Sequence, residues 1–309
     1  MMKIYYLLIA FLFVSFHPPE EKKPFIVVLG IAQDAGYPQI GCNKECCKKV
    51  YEKKAARQLV SCIAIVDPVS KQKWIIDATP DLPEQLKLLD SYQPGDLTGI
   101  LLTHAHIGHY TGLMYLGREA MNANKIPVYA MPRMFDFLKT NGPWSQLVSL
   151  NNIELRKLKA DSVIKLNERI WVKPLLVPHR DEFSETVGYL IWIGKQSVIY
   201  IPDIDKWNKS DLDIRSFVHG GDYLKNYVLI DGTFYKDGEL PGRNMSEVPH
   251  PFVQETMAMF EKYDAVSKKK IWFIHFNHTN PLVRKESLEC KEVRNRGFNV
   301  ATQGLVLKF

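Results

Sequence analysis

The chain has 309 residues, of which 46% are hydrophobic and 24% are charged, a composition typical of a folded globular protein rather than a disordered one. This length allows at most two ordinary domains, and the Gly and Pro content excludes collagen-like and low-complexity architectures. The 40 Lys and Arg residues against 34 Asp and Glu residues give a net charge of +6, but both signs are mixed along the chain. We therefore expect no nucleic-acid partner.

The first residues have the features of an export signal. Lys3 precedes the uncharged apolar run Ile4–Phe16, which is too short to span a bilayer comfortably and has the length of a signal-peptide core. No clear cleavage motif follows, so the alternatives are an uncleaved membrane anchor and a buried N-terminal strand or helix. We expect a signal peptide or anchor over residues 1–17 and an exported (periplasmic or secreted) or anchored protein. Membrane contact is expected only if the segment stays uncleaved.

The remaining residues, 18–309, predict one α/β domain without an internal repeat or interior linker. Apolar runs rich in β-branched residues predict strands at Phe25–Leu29, Cys62–Val66, Trp74–Ile76, Gly99–Thr103, Val128–Ala130, Ile170–Val172, Thr186–Ile193, Ser197–Ile201, Tyr227–Ile230 and Ile271–Ile274. Helical spacing of apolar residues predicts helices at Leu82–Leu89, Tyr110–Ala123 and Phe252–Tyr263.

The cysteines do not form a disulfide framework. Their number is odd, and the adjacent Cys46 and Cys47 cannot easily bridge each other. Cys42, Cys46 and Cys47 cluster in one loop, whereas Cys62 and Cys290 are isolated. The cluster favours a metal site, and the alternative is three ordinary loop thiols.

Three histidines follow directly on the predicted strand Gly99–Thr103. His104, His106 and His109 lie on one loop, where their imidazoles converge on a small volume. Imidazole is the usual protein ligand for zinc and also binds iron. The spacing therefore predicts a metal centre, with a purely polar loop as the alternative.

This arrangement resembles the metallo-β-lactamase superfamily, whose members have an H-x-H-x-D-H loop followed by a distant His, an Asp and a final His at strand ends. The resemblance implies a four-layer αββα sandwich and an active site that holds one or two zinc ions, with iron or manganese as alternatives. It implies that Asp77 supports the loop. It also implies the active-site metal ligands His104, His106, His109, His179, Asp203 and His275, with Asp203 shared between two metals.

The loop departs from the superfamily pattern at Gly108, where the family has an Asp that binds the second metal. The first site keeps His104, His106 and His179, whereas the second is left with His109, His275 and the shared Asp203. We expect the second site to bind its metal weakly, and a Gly108→Asp change to tighten it.

Longer stretches resemble the pyrroloquinoline-quinone biosynthesis protein B family. They are Ala35–Gln39, Pro178–Phe183, Thr186–Gly188, Leu229–Phe234, His275–Asn277 and Thr279–Pro281. That family typically lacks the first two loop histidines, which are present here, and synthesises its cofactor in the cytoplasm. We therefore interpret the chain as a relative with its own substrate.

The cysteine loop resembles a cyclic-phosphodiesterase branch that acts in phosphonate breakdown. That resemblance implies a structural zinc held by Cys42, Cys46, Cys47 and His278, although Lys44 replaces the middle cysteine of the usual spacing. It also implies His250 as a proton donor.

The sequence as a whole predicts a metal-dependent hydrolase of small-molecule phosphodiesters or other esters. The metal lowers the pKa of a bound water to give a hydroxide nucleophile, which Asp203 orients, and His250 protonates the leaving group. The alternatives are a non-haem iron oxygenase of the pyrroloquinoline-quinone-biosynthesis type and a non-catalytic binding protein with this fold. Two roles stay open: Asp231 supports the site or begins a turn, and Asp181 and Glu182 orient His179 or are solvated.

Overall fold

The computed structural model describes residues 22–219 and 224–309, and within them the strands form two seven-stranded mixed sheets. The predicted signal or anchor segment, residues 1–17, lies outside the described residues. Among the described helices, none is long and apolar enough to cross a bilayer.

The first sheet has an antiparallel half and a parallel half, which meet at its central strand. Its strand order is β14-β1-β2-β3-β4-β5-β6. The strands are β1 Phe25–Gly30, β2 Cys62–Asp67, β3 Gln72–Ile76, β4 Gly99–Leu101, β5 Ile126–Ala130, β6 Ile153–Lys157 and β14 Val306–Leu307.

The second sheet is built in the same way, with the order β13-β12-β11-β10-β9-β8-β7. Its strands are β7 Ile164–Asn167, β8 Ile170–Leu176, β9 Val187–Ile193, β10 Gln196–Ile201, β11 Leu224–Asp231, β12 Ile271–Ile274 and β13 Asn299–Val300. Strands β10 to β13 run parallel, and β8 shares their direction because β9 is antiparallel to both β8 and β10. The carboxyl ends of these strands therefore meet at one edge, where ligands bind in open α/β sheets.

Helices cover the outer faces of both sheets. Their bounds are α1 Glu45–Tyr51, α2 Leu82–Asp90, α3 Ile107–Tyr110, α4 Pro132–Thr140, α5 Trp144–Ser149, α6 Ile214–His219, α7 Val253–Met259, α8 Ala265–Lys269 and α9 Leu288–Asn295. Helices α2, α4 and α5 pack on the first sheet, and α6, α7 and α9 contribute to the core on the second. The predicted four-layer αββα sandwich is confirmed.

The side chains of β1 alternate between two hydrophobic cores, one on each face of the first sheet. Ile26 and Val28 point into the core between the sheets, whereas Val27 and Leu29 point to the helices outside. This period of two is the geometry of a strand that is buried on both faces. The fully buried strand therefore fixes the position of the loop that follows it.

The predicted helix over Tyr110–Ala123 is wrong for most of its length. Helix α3 ends at Tyr110, a 3₁₀ helix spans Thr111–Leu116, and turns and irregular structure follow to Ala123. Gly112 N donates a 2.9 Å hydrogen bond to Ala78 O, and a Cβ at Gly112 would clash with that backbone. Tertiary packing against the loop after β3 therefore overrides the helical spacing of this segment.

Candidate metal centre

The predicted ligands lie on the loops that leave the strands at a single edge of the sandwich. Asp77 directly follows β3, and His275 directly follows β12. Asp203 lies just beyond β10, and His179 lies on the loop after β8. Residues far apart in the sequence are brought together because these strands end at the same edge.

A first group of donor atoms surrounds one side of Asp203. The ligand atoms of His104, His106, His179 and Asp203 all lie within 4.8 Å of one another. His104 Nε2 is 3.4 Å from Asp203 Oδ2, and His179 Nε2 is 3.3 Å from Asp203 Oδ1. His106 Nδ1 lies 4.0 Å from Asp203 Oδ2. The structure thus brings together the residues that the sequence predicted for the first site.

A second group lies on the other side of Asp203. His109 Nε2 and His275 Nε2 are each 3.9 Å from Asp203 Oδ2. Asp34 joins them, with Oδ1 3.3 Å from His109 Nε2 and all three donor atoms within 4.8 Å of one another. The expectation of a second site limited to His109, His275 and Asp203 therefore omitted a carboxylate.

The inward atoms of these residues are buried and have no hydrogen-bond partner. They are Asp34 Oδ1, His104 Nε2, His106 Nδ1, His109 Nε2, His179 Nε2, Asp203 Oδ1 and His275 Nε2. Leaving one such atom unpaired costs about 1–3 kcal/mol, so a converging set is strongly unfavourable unless a ligand satisfies it. Imidazole nitrogens and carboxylate oxygens are the donors that zinc and iron bind, so the residues fit divalent cations.

The outward nitrogens of the imidazoles are all held in place by neighbouring side chains, as the non-coordinating nitrogens of metal-binding histidines usually are. His109 Nδ1 lies 2.7 Å from Asp77 Oδ2, in agreement with the supporting role expected for Asp77. The other contacts join His104 Nδ1 to Thr103 Oγ1 at 2.9 Å, His179 Nδ1 to Asp205 Oδ1 at 3.1 Å and His275 Nδ1 to Thr233 Oγ1 at 3.0 Å. His106 Nε2 lies 3.4 Å from Glu182 Oε2.

The electrostatics of the site favour added positive charge. Burial lowers the pKa of His104 and of His275, which keeps both imidazoles neutral, the form that binds a metal. Burial also opposes protonation of His109 and His179, but neighbouring carboxylates raise the pKa of His109 well above its usual value and that of His179 to about 10. The acidic groups therefore attract protons to these imidazoles, and a divalent cation would supply the same charge.

Two of these residues have an uncommon backbone conformation. Asp77 has φ of 73° and His275 has φ of 67°. Positive φ is uncommon for residues other than glycine, although Asp, Asn and His adopt it more often than most. Such conformations concentrate at functional sites, and here Asp77 contacts His109 while His275 Nε2 lies 3.9 Å from Asp203 Oδ2.

His250 lies beside Asp203, outside the two groups of ligands. Its Nδ1 is 2.8 Å from Asp231 Oδ2 and 3.2 Å from Asp203 Oδ1. Asp231 also accepts hydrogen bonds from Ile204 N and Thr233 N, so this residue both begins a turn and supports the site.

The cysteine cluster forms a separate site. The ligand atoms of Cys42, Cys46, Cys47 and His278 lie within 4.8 Å of one another, and the Sγ atoms of Cys42 and Cys46 are 3.8 Å apart. A tetrahedron with Zn–S bonds of about 2.3 Å has an edge of roughly 3.8 Å. Because His278 Nδ1 is also buried without a partner, the four residues fit a closed zinc site.

A cavity of about 810 Å³ joins the two sites. His250 and Arg180 line it near the candidate active site, and Cys42 and His278 line it near the cysteine cluster. Lys44 and Arg243 also line it, and neither makes an ion pair among residues 22–219 and 224–309. The cavity is thus predominantly cationic.

The sequence did not indicate Asp34 or Asp205, and of the two roles left open for Asp181 the structure agrees with the solvated one. Asp205, not Asp181, contacts His179, while Asp181 is exposed and pairs with Arg133 at 3.0 Å. Glu182 contacts His106 and not His179. Asp34 immediately precedes the Ala35–Gln39 stretch and lies on the loop after β1, and this position near a strand end is the one sequence signal that points to it.

Comparison with known proteins agrees with this architecture. A sequence profile described as "Beta-lactamase superfamily domain" matches residues 73–276, which include every predicted active-site ligand. The chain is 25% identical to coenzyme PQQ synthesis protein B of Xanthomonas campestris pv. campestris, over 91% of this chain and 98% of that protein. It is 28% identical to the protein of the same name from Pseudomonas putida, with the same coverage.

Two solved structures share the fold. The crystal structure of Zn²⁺-bound PqqB from Methylobacterium extorquens superposes with a TM-score of 0.77 at 22% identity, covering 92% of this chain and 100% of that chain. A diphosphatase from the PhnP family superposes with a TM-score of 0.63, also at 22% identity, covering 93% of this chain and 98% of that chain. At these identities the two structures establish the fold alone.

Proposed function

This chain belongs to the β-lactamase superfamily, and on that basis we propose that it is a metal-dependent hydrolase of small-molecule phosphodiesters or other esters. The observation that supports the proposal most strongly is the position of Asp203 between two groups of unpaired imidazole nitrogens, with His250 beside it. A structural role alone does not account for so many buried donors without partners.

His104, His106, His179 and Asp203 would hold the first cation, and zinc is the metal that this donor set and the Zn²⁺-bound fold neighbour favour. A divalent cation held by these residues would activate water as the nucleophile and polarise the scissile bond. Thr103 contacts Nδ1 of His104, and Asp205 contacts Nδ1 of His179. These contacts orient the two rings so that both Nε2 atoms face the same point.

The chain itself orients the attacking water and supplies an acid. Asp203 Oδ1 is buried without a hydrogen-bond partner, so it is available to accept a hydrogen bond from the attacking water and to orient it. Although burial opposes it, Asp231 and Asp203 raise the pKa of His250 above its usual value, which favours the protonated form of the ring. Because Nδ1 of His250 is engaged by Asp231, its Nε2 is the atom left to protonate a leaving group in the cavity.

The charge of the cavity favours an anionic substrate. Lys44, Arg180 and Arg243 line it, and among the described residues that line it Glu247 is the only one with a carboxylate. Cationic side chains in a cleft attract and orient phosphate groups. A phosphodiester is therefore our first proposal for the substrate class.

The test is hydrolysis of a panel of chromogenic substrates by chelator-treated protein before and after addition of Zn²⁺ or Fe²⁺. We expect bis(p-nitrophenyl) phosphate to be cleaved faster than p-nitrophenyl phosphate, a chromogenic lactam or a thioester, and only after metal is restored. Metal-independent cleavage, or no cleavage of any member by the reconstituted protein, would contradict the proposal.

The second candidate is a metal-dependent oxidation of the pyrroloquinoline-quinone-biosynthesis type. The observation in its favour is the similarity to coenzyme PQQ synthesis protein B, which extends over 91% of this chain. Histidines with a carboxylate also bind Fe²⁺. Iron rather than zinc in the isolated protein, with O₂ consumption in the presence of substrate, would favour this candidate over hydrolysis.

A further inference from the structure

The loop after β1 is fixed against the strand end that carries His275. Phe276 N donates a 2.7 Å hydrogen bond to Ile31 O, and Gln33 N donates a 2.8 Å hydrogen bond to Phe276 O. Asn277 Nδ2 donates to Gln33 Oε1 at 2.5 Å. The backbone just before Asp34 is therefore hydrogen-bonded to the residues that follow His275, which belongs to the second group of ligands.

The Asp34 side chain points into that group. Its Oδ1 is buried, has no hydrogen-bond partner and lies 3.3 Å from His109 Nε2. Two donors bound to one zinc ion at about 2.0–2.2 Å stand roughly 3.0–3.5 Å apart. The spacing between Asp34 and His109 is therefore that of two ligands of the same cation.

Gly108 provides the space that Asp34 occupies. A Cβ at position 108 would lie 2.5 Å from Asp34 Cα and closer still to Asp34 Oδ1. Gly108 does not have a positive φ, so glycine is required there for space and not for backbone conformation. The carboxylate that the superfamily pattern has at position 108 is thus replaced, in the same volume, by one from the β1 loop.

We propose that Asp34 is a ligand of a second divalent cation, together with His109, His275 and the shared Asp203. This inference rests on the proposed metal-dependent function and specifies its second site. The site then has the same donors and the same charge as the superfamily pattern, although one ligand comes from a different part of the chain.

Two expectations from the sequence change as a result. The second site is not short of a carboxylate, so it binds its cation tightly rather than only with substrate. The Gly108→Asp change does not tighten this site, because any side chain at position 108 collides with the Asp34 backbone. We expect Gly108→Ala and Gly108→Asp both to weaken the second site by displacing Asp34.

The experiment counts bound zinc and measures its affinity in chelator-stripped protein titrated with Zn²⁺, by calorimetry and by elemental analysis after dialysis. Asp34→Asn removes the charge while nearly keeping the shape. We expect one fewer tight zinc per chain and an affinity at that site lower by more than about 100-fold, because even groups that only orient a ligand contribute 10–100-fold. Asp181→Asn is the matched control, since Asp181 is an exposed carboxylate near His179, and it should keep the wild-type count.

The outcomes separate this inference from the proposed function. A wild-type zinc count in both Asp34→Asn and Gly108→Ala would overturn the role of Asp34 and leave the first site intact. Wild-type protein that binds no zinc beyond the cysteine cluster would overturn the metal centre itself. Circular dichroism of the chelated proteins verifies that the variants are folded, and Asp34→Glu, which keeps the charge, should restore part of the affinity.

Discussion

His250 Nδ1 lies 2.8 Å from Asp231 Oδ2, and both residues are buried next to Asp203. The carboxylate of Asp231 fixes the orientation of the ring and favours its protonated form. Ile204 N also donates a hydrogen bond to Asp231 Oδ2, so the carboxylate that orients His250 is itself held in place. In the proposed mechanism His250 is the general acid, and it is not one of the residues proposed to bind the two cations.

Replacing His250 should therefore slow catalysis without removing metal. For His250→Gln we expect kcat to fall by about 10²–10⁴-fold on a phosphodiester with a phenolate leaving group. The loss should be smaller with p-nitrophenolate, which needs less protonation as it leaves. Steady-state kinetics on the two substrates, with zinc content measured in parallel, tests this. An equal loss on both substrates, or loss of zinc, would show that His250 does not act as the acid.

The first site should depend on each of its three histidines. His106→Ala removes one neutral donor from a group that has three imidazoles and one carboxylate. We expect this variant to lose the first-site cation and to have activity indistinguishable from background. Elemental analysis of the purified variant checks this, and full metal content in His106→Ala would contradict the assignment.

The histidine loop could be predicted from sequence, whereas Asp34 could not be deduced from Gly108. His104, His106 and His109 are close in the chain, and a preceding apolar strand shows where they lie. Glycine at position 108 indicates only that a side chain is missing, and it does not show which residue fills the space. That information resides in the packing of the β1 loop against Phe276 and α3, which local spacing does not encode.

The strands were predicted more successfully than the helices, for a physical reason. Ile271–Ile274 is a buried apolar run bounded by polar residues, and it forms β12 with the predicted bounds. In contrast, the segment after Tyr110 has helical spacing but packs its glycine backbone against the loop after β3. The spacing of apolar residues does not report such backbone contacts.

The cysteine cluster should hold a zinc ion that stabilises the fold. Cys42→Ser should lower the zinc count by about one per chain and reduce the melting temperature, because a structural zinc contributes folding free energy. A loss of only about 2 kcal/mol lowers the Tm of a domain of this size by roughly 4–8 °C. Elemental analysis and thermal unfolding measure the two effects.

Cys290→Ala is the control for that experiment. Cys290 is buried in α9 and lies outside the group formed by Cys42, Cys46, Cys47 and His278. Its replacement should affect packing but leave the zinc count unchanged. If Cys42→Ser keeps both the wild-type zinc count and the wild-type Tm, the three thiols are ordinary loop residues.

Asp77 should influence metal affinity without touching the metal. It accepts hydrogen bonds from His109 Nδ1 at 2.7 Å and from Thr103 N at 2.8 Å. Asp77→Asn weakens these contacts but keeps a residue that tolerates the positive φ. We expect zinc affinity to fall by about 10–100-fold. Competition with a chromogenic chelator measures the zinc affinity. An unchanged affinity would mean that Asp77 only stabilises the backbone of the histidine loop.

We propose that donors from separate strand ends hold divalent cations on both sides of Asp203. Anomalous X-ray scattering at the zinc absorption edge, on crystals of zinc-reconstituted protein, tests it most directly. We predict one peak bounded by His104, His106, His179 and Asp203, and a second bounded by Asp34, His109, His275 and Asp203. The absence of any anomalous peak next to Asp203 would contradict the account.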